Sequence, residues 1–149
     1  MHPELEMLLR ALVATAVGGA VGYDRQKHDK PAGLRTHMLV ALGACLFTAS
    51  AELASGTRLD LLRVTAAIAT GIGFLGAGAI MRSGAHVSGL TTAAGIWVTA
   101  GLGVVIGVGQ WILGVGGALI TVVVIAVLGH PSIPTPGGTT THHEADWPD

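Results

Sequence analysis

The residues that could do chemistry in this chain are few, and they sit at the ends of long apolar runs. Asp24, Arg25, Arg35, Thr36, His37 and Arg82 collect toward one set of ends; Glu52, Asp60, Arg63 and Arg10 collect toward the other. An ionisable group inside a membrane span costs about 2.5–3.5 kcal/mol at the centre and less near the ends. Each therefore needs a partner or a use. For the first set, one account is structural: Asp24 pairs with Arg35 or Arg82, and the remaining charges meet lipid headgroups. The other is a small polar pocket that binds an ion, an anion or a partner. For the second set, Glu52 can pair with Arg63 or Arg10, as a structural ion pair or as a polar site, and Arg10 can snorkel to the interface. No acid falls at the midplane of a span, where a cation pathway normally needs one unless carbonyls at a helix break replace it. His37 lies on the opposite side from Glu52 and Asp60, and no Ser/His/Asp or Cys/His arrangement forms. An enzyme is not expected, nor a cofactor; a bound cation is left open and a metal site is unknown.

The elements that must position these groups are apolar. Half of the 149 residues are hydrophobic, only 11% are charged, and 23 are glycine. No acid occurs between Asp60 and Glu144, where the basic residues are Arg63 and Arg82 alone. So long an uncharged stretch cannot all fold inside a small soluble core, and the chain reads as an all-α polytopic membrane helical bundle. Five spans are predicted: Glu6–Tyr23, Thr36–Ser55, Leu61–Met81, Leu90–Gly107 and Gln110–Leu128. The last two run together over nearly twice the roughly 20 residues that one crossing needs, with a turn at Gly107 to Gln110. The first is not expected to be a signal peptide, since MHPELEM has two acids and no Lys or Arg. A net charge of −1 gives no reason to bind nucleic acid. Cys45 is expected to be a small buried residue.

Small residues supply the packing code. Gly18 and Gly22, and Gly103 and Gly107, form GxxxG pairs, and Ala69, Gly73 and Ala77 form a row on the third span. Helices in lipid associate through such close approach. Whether these contacts lie within one chain or between copies is open, and a homodimer is expected. GIGFLG, Gly71 to Gly76, matches a dinucleotide fingerprint but lacks the acid that motif requires. It reads as helix packing with a break at its glycines, Gly73 and Gly76 included. Ser88 or Thr91 is expected to cap the fourth helix, and Pro31 to start the second.

Orientation follows the basic loops. Arg25, Lys27, Lys30 and Arg35 flank the first loop and Arg82 the third, which puts both in the cytoplasm with the N-terminus outside and the C-terminus inside. Residues 1–129 would form the membrane domain. Residues 130–149, rich in Pro, Gly and Thr, would be a disordered cytoplasmic tail. Its His142, His143, Glu144 and Asp146 would bind a metal only weakly.

AGLRTHMLVALGACLF, Ala32 to Phe47, and GIGFLGAGAIMRSGAHVSGLTTAAGIWVTAGLG, Gly71 to Gly103, are two long motifs in order, with Asp60 and Arg63 between them. They resemble the signature segments of the MgtC/SapB family of bacterial inner-membrane proteins, over most of Leu8 to Leu128. Asp24 stands in GYDR where the family has GLER, Ala67 where a Gln is frequent, and Ser88 where a basic residue is common. The resemblance implies a short form without the C-terminal cytoplasmic domain of longer members. It further implies a link to magnesium homeostasis, growth in low magnesium and stress adaptation, as a regulator of other membrane proteins. A subunit of a transporter or channel for Mg²⁺ or another ion is the alternative; the broken third span and the hydroxyls of Thr91 and Thr92 would line its path.

Overall fold

The computed structural model describes residues 2–54, 57–83 and 86–128. The tail from residue 129 onward, with its metal expectation, lies outside them. Five helices, each long and apolar enough to cross a membrane, form the bundle: α1 Pro3–Lys27, α2 Leu34–Ala54, α3 Arg58–Gly78, α4 Leu90–Gly107 and α5 Trp111–Leu128. The all-α polytopic class is therefore as expected.

Several boundaries differ for identifiable reasons. The α1 helix is longer than its apolar run. Pro3 sits at its first turn with Glu4 and Glu6, and Arg25 and Lys27 sit in its last, charges that favour the two poles of the helix dipole. It closes in a Schellman motif: the amides of Asp29 and Lys30 donate to the carbonyls of Gln26 and Arg25. Asp29 takes the left-handed position at φ 49°, which Asp tolerates better than most side chains. Pro31 does not start α2. The helix opens three residues later, where the His37 amide donates to the Gly33 carbonyl.

The predicted break in the third span is absent: α3 runs continuously from Arg58 to Gly78, through Gly71, Gly73 and Gly76. Between α3 and α4 a two-stranded hairpin, β1 Met81–Ser83 and β2 His86–Ser88, pairs Arg82 with Val87. No strand was predicted there. Gly89, at φ 87°, follows it and starts α4 without a side-chain cap, so neither Ser88 nor Thr91 has that role. The α4–α5 turn is where the sequence puts it. Gly109 at φ 78° accepts the left-handed turn that ends α4.

The α4 helix lies at the centre and touches all four others. The core is built of small and medium side chains, among them Ala14, Val21, Ala41, Cys45 and Ile106. Two glycine pairs let the backbones meet. A Cβ at Gly18 would strike the His37 carbonyl and one at Gly22 would come within 2.8 Å of the Leu34 Cα, closing α1 on α2. At Gly103 it would strike the Ala41 carbonyl, and at Gly107 it would meet Thr48 at 2.9 Å, closing α4 on α2. The glycines of the third span behave differently. Gly76 faces α4 loosely, at 3.5 Å from the Ala93 carbonyl, and Gly73 has no neighbour within 4 Å of where its Cβ would stand.

Candidate functional site

The six polar residues expected at one end share that end but do not form one site. Consecutive helical residues point about 100° apart, and this separates Arg35 and Thr36 from His37. His37 turns into the bundle and is fully buried. Its Nδ1–H donates to the Gly33 carbonyl at 2.9 Å, since a carbonyl can only accept. Nε2 of the neutral ring is then an acceptor, and it has no partner among the described residues. It is aimed at α4, where a Cβ on Gly95 would lie 3.4 Å away.

Arg25, on the last turn of α1, is 5% exposed. Its Nη2 donates to Thr92 Oγ1 at 3.4 Å, and its Nε–H is unpaired. Arg25 and Thr92 thus tie the ends of α1 and α4, and His37 Nε2 of α2 faces α4 at Gly95, in a polar cluster with no carboxylate in it. The cluster offers an unused donor and an unused acceptor, but no nucleophile–base pair. Removing the Thr92 hydroxyl while keeping its shape, in Thr92→Val, should destabilise the protein by about 1–3 kcal/mol, the cost of stripping a buried polar group of its partner. Thr92→Ser should stay close to wild type; thermal unfolding in detergent measures both.

The other expected residues go elsewhere. Asp24 approaches His28 Nδ1 at 3.4 Å, one turn along α1, and not Arg35 or Arg82. Arg35 and Thr36 are exposed and line a groove between α2 and α3. Arg82 is exposed on the hairpin.

At the opposite end the structure chooses one of the two alternatives for Glu52. Arg10, 8% exposed, does not snorkel. Its Nη1 donates to Glu52 Oε2 at 2.5 Å and to the Gly107 carbonyl at 2.7 Å, and its Nη2 donates to Glu6 Oε1 at 2.6 Å. Arg63 instead stands 3.7 Å from Asp60, one turn away on α3, largely in the open. Asp60 belongs to the α3 cap: its amide donates to Thr57 Oγ1, whose hydroxyl donates back to the carboxylate. Glu52, Asp60 and Arg63 are therefore not one site.

Glu6 and Gly95 were not singled out from sequence, and Thr92 was named only as the lining of an ion path, not as a partner of Arg25. A signal existed for Gly95: Thr92, Gly95, Thr99, Gly103 and Gly107 recur at three- and four-residue spacing, all on the buried face of α4. Among the described residues no three His, Cys, Asp or Glu side chains come together as a metal site would require.

Residues 11–131 match the MgtC family. The chain belongs to this family. Among its relatives is YhiD of Escherichia coli K12, which carries the name "Putative magnesium transporter YhiD". It is 41% identical over 129 residues, covering 82% of this chain and 60% of YhiD. SrpB of Synechococcus elongatus is 44% identical over 135 residues, covering 82% of this chain and 74% of SrpB. MgtC of Salmonella typhimurium LT2 is 47% identical over 104 residues, covering 70% of this chain and 44% of MgtC. The chain thus spans three fifths of YhiD and less than half of the Salmonella protein. No solved structure matches it. Its five spans and its membership make this MgtC-family chain a multi-pass protein of the bacterial inner membrane.

Proposed function

We propose that this MgtC-family protein is a non-enzymatic regulator in magnesium homeostasis, which acts on another membrane protein through the outward face of α3. The observation that carries the proposal is the isolation of that face. Gly76 is the buried residue of α3, while Gly73 faces open space and Phe74 beside it is 81% exposed. A small-residue row in lipid serves close helix approach. The Ala69–Gly73–Ala77 row meets no helix of its own chain at Gly73, so the complementary helix must come from outside. A second copy could offer its own row; the regulator role requires a different protein.

The magnesium connection rests on family membership and on the name borne by YhiD. The orientation proposed is N-terminus outside and C-terminus in the cytoplasm. It is supported by Arg25, Lys27, Lys30, Arg35 and Arg82 at the end that holds the α1–α2 loop and the hairpin. Against an ion path, the continuity of α3 keeps its carbonyls within helical hydrogen bonds. The strongest polar clusters also sit at the two ends of the bundle rather than along a route through it.

Gly73→Leu should fold normally, because its side chain enters open space, yet lose the ability to support growth in low magnesium and to retain a co-purifying membrane protein. Wild-type protein in liposomes should pass no saturable Mg²⁺ current. Full growth support by Gly73→Leu, or a saturable flux, would overturn the proposal.

A further inference from the structure

A second surface of α3 has a different chemistry. On the side opposite Gly73, Val64, Ile68, Gly71 and Leu75 of α3 face Val40 and Phe47 of α2 across an open groove of about 780 Å³. Its lining is apolar except at one end, where Arg35 and Thr36 close it. These same two residues also line a neighbouring polar pocket of about 620 Å³ with Gln26 and Lys30. An apolar slot therefore opens, through Arg35 and Thr36, into a mouth whose charged residues, Lys30 and Arg35, are both cationic.

Length fits the same occupant. From Arg35 to Phe47 the groove follows α2 for about 18 Å at 1.5 Å per residue. One leaflet of hydrocarbon is roughly 15 Å deep, half of a ~30 Å core. Arg35 bears no ion pair or hydrogen bond to the described residues, so its forked donors are available to a phosphate. Glycines keep the slot open: at Gly43 and Gly71 no atom lies within 4 Å of a would-be Cβ.

We infer that the α2–α3 groove is a binding site for one anionic phospholipid, its acyl chain along Val40 to Phe47 and its phosphate between Lys30 and Arg35. The inference rests on the membrane reading but not on the partner proposed for the Gly73 face, because the two surfaces lie on opposite sides of α3.

The test is native mass spectrometry of the full chain released from nanodiscs containing phosphatidylglycerol and phosphatidylcholine. Wild type should retain one phosphatidylglycerol selectively. Lys30→Gln with Arg35→Gln should lower that selectivity about thirtyfold, equivalent to about 2 kcal/mol for two cations facing an anionic headgroup. Gly71→Leu, which fills the slot and leaves both cations, should displace the lipid of either class. Lys27→Gln, a cation at the same end outside the groove, should change neither. Equal retention of both lipids by wild type, undiminished selectivity in the double variant, or displacement of the bound lipid by soluble glycerol phosphate would overturn the assignment. Loss of a partner in Gly73→Leu with lipid retention intact would leave it standing.

Discussion

Arg10→Ala should lower stability by about 3 kcal/mol or more, the largest effect expected of any charge substitution in this protein. One guanidinium holds three helices. It binds Glu6 of α1 and Glu52 of α2, and it caps the Gly107 carbonyl at the end of α4, where the helix dipole favours a cation. It also packs under the α4–α5 turn: a Cβ on Gly109 would lie 3.0 Å from its Nη2. Removing one partner of a buried ion pair typically costs about 3–5 kcal/mol because the other is left uncompensated. Glu52 is 37% exposed at its side chain, so water compensates it in part and the lower figure applies. Glu52→Gln keeps an acceptor for Arg10 and should cost less, about 1–2 kcal/mol. Arg10→Lys should fall between, since an ammonium keeps the charge and loses the fork. Thermal unfolding in detergent gives the order. If Arg10→Ala melts with the wild type, the cluster is not a structural clamp.

Gly103→Ala should destabilise the protein, whereas Gly101→Ala should not. The two glycines are two residues apart on α4. At Gly103 the new methyl would strike the Ala41 carbonyl and reach Ala44 Cβ at 2.9 Å. A backbone carbonyl in mid-helix cannot rotate aside, so α2 and α4 must separate and the core between them loosens. Overpacking of this kind costs about 1–3 kcal/mol and sometimes more; the upper end is expected here. At Gly101 no atom lies within 4 Å, and Ala is the better helix former by up to about 1 kcal/mol. Gly101→Ala should therefore leave the protein as stable as wild type or slightly more so. A Gly103→Ala protein with an unchanged melting temperature would show that α2 and α4 do not pack at van der Waals distance.

The contrast between these glycines also shows what a sequence can and cannot reveal here. Five helices were legible because each apolar run is long enough to cross the membrane, and the Gly107–Gln110 turn was legible because two crossings must be separated. GxxxG spacing marked Gly18, Gly22, Gly103 and Gly107 as close-approach points, and the chain uses all four internally. The same code at Gly73 has no partner in the chain. Spacing states that a helix can approach, but not which one. The hairpin at Met81–Ser88 escaped because MRSGAHVS is short and partly polar, with no alternation to mark a strand. The polar residues were legible as a set at each end, but their grouping was not. Arg25, Arg35 and His37 look equivalent along the chain, and only helix rotation decides that Arg25 and His37 enter the bundle while Arg35 faces the α2–α3 groove. The use of Thr92 was not legible: two adjacent threonines after Gly89 suggest a cap or the lining of a path, whereas Gly89 itself turns the chain at φ 87° and Thr92 meets Arg25.

The most direct test of the regulator proposal is site-specific photo-crosslinking in living membranes under magnesium limitation, with the reactive side chain at Gly73 and, as reference, at Ile112 on α5, which is 92% exposed. The expected result is a discrete adduct to a different membrane protein from position 73, with only lipid adducts from position 112. Lipid alone at both positions, or at position 73 an adduct only to a second copy of the chain, would contradict a regulator that works through α3.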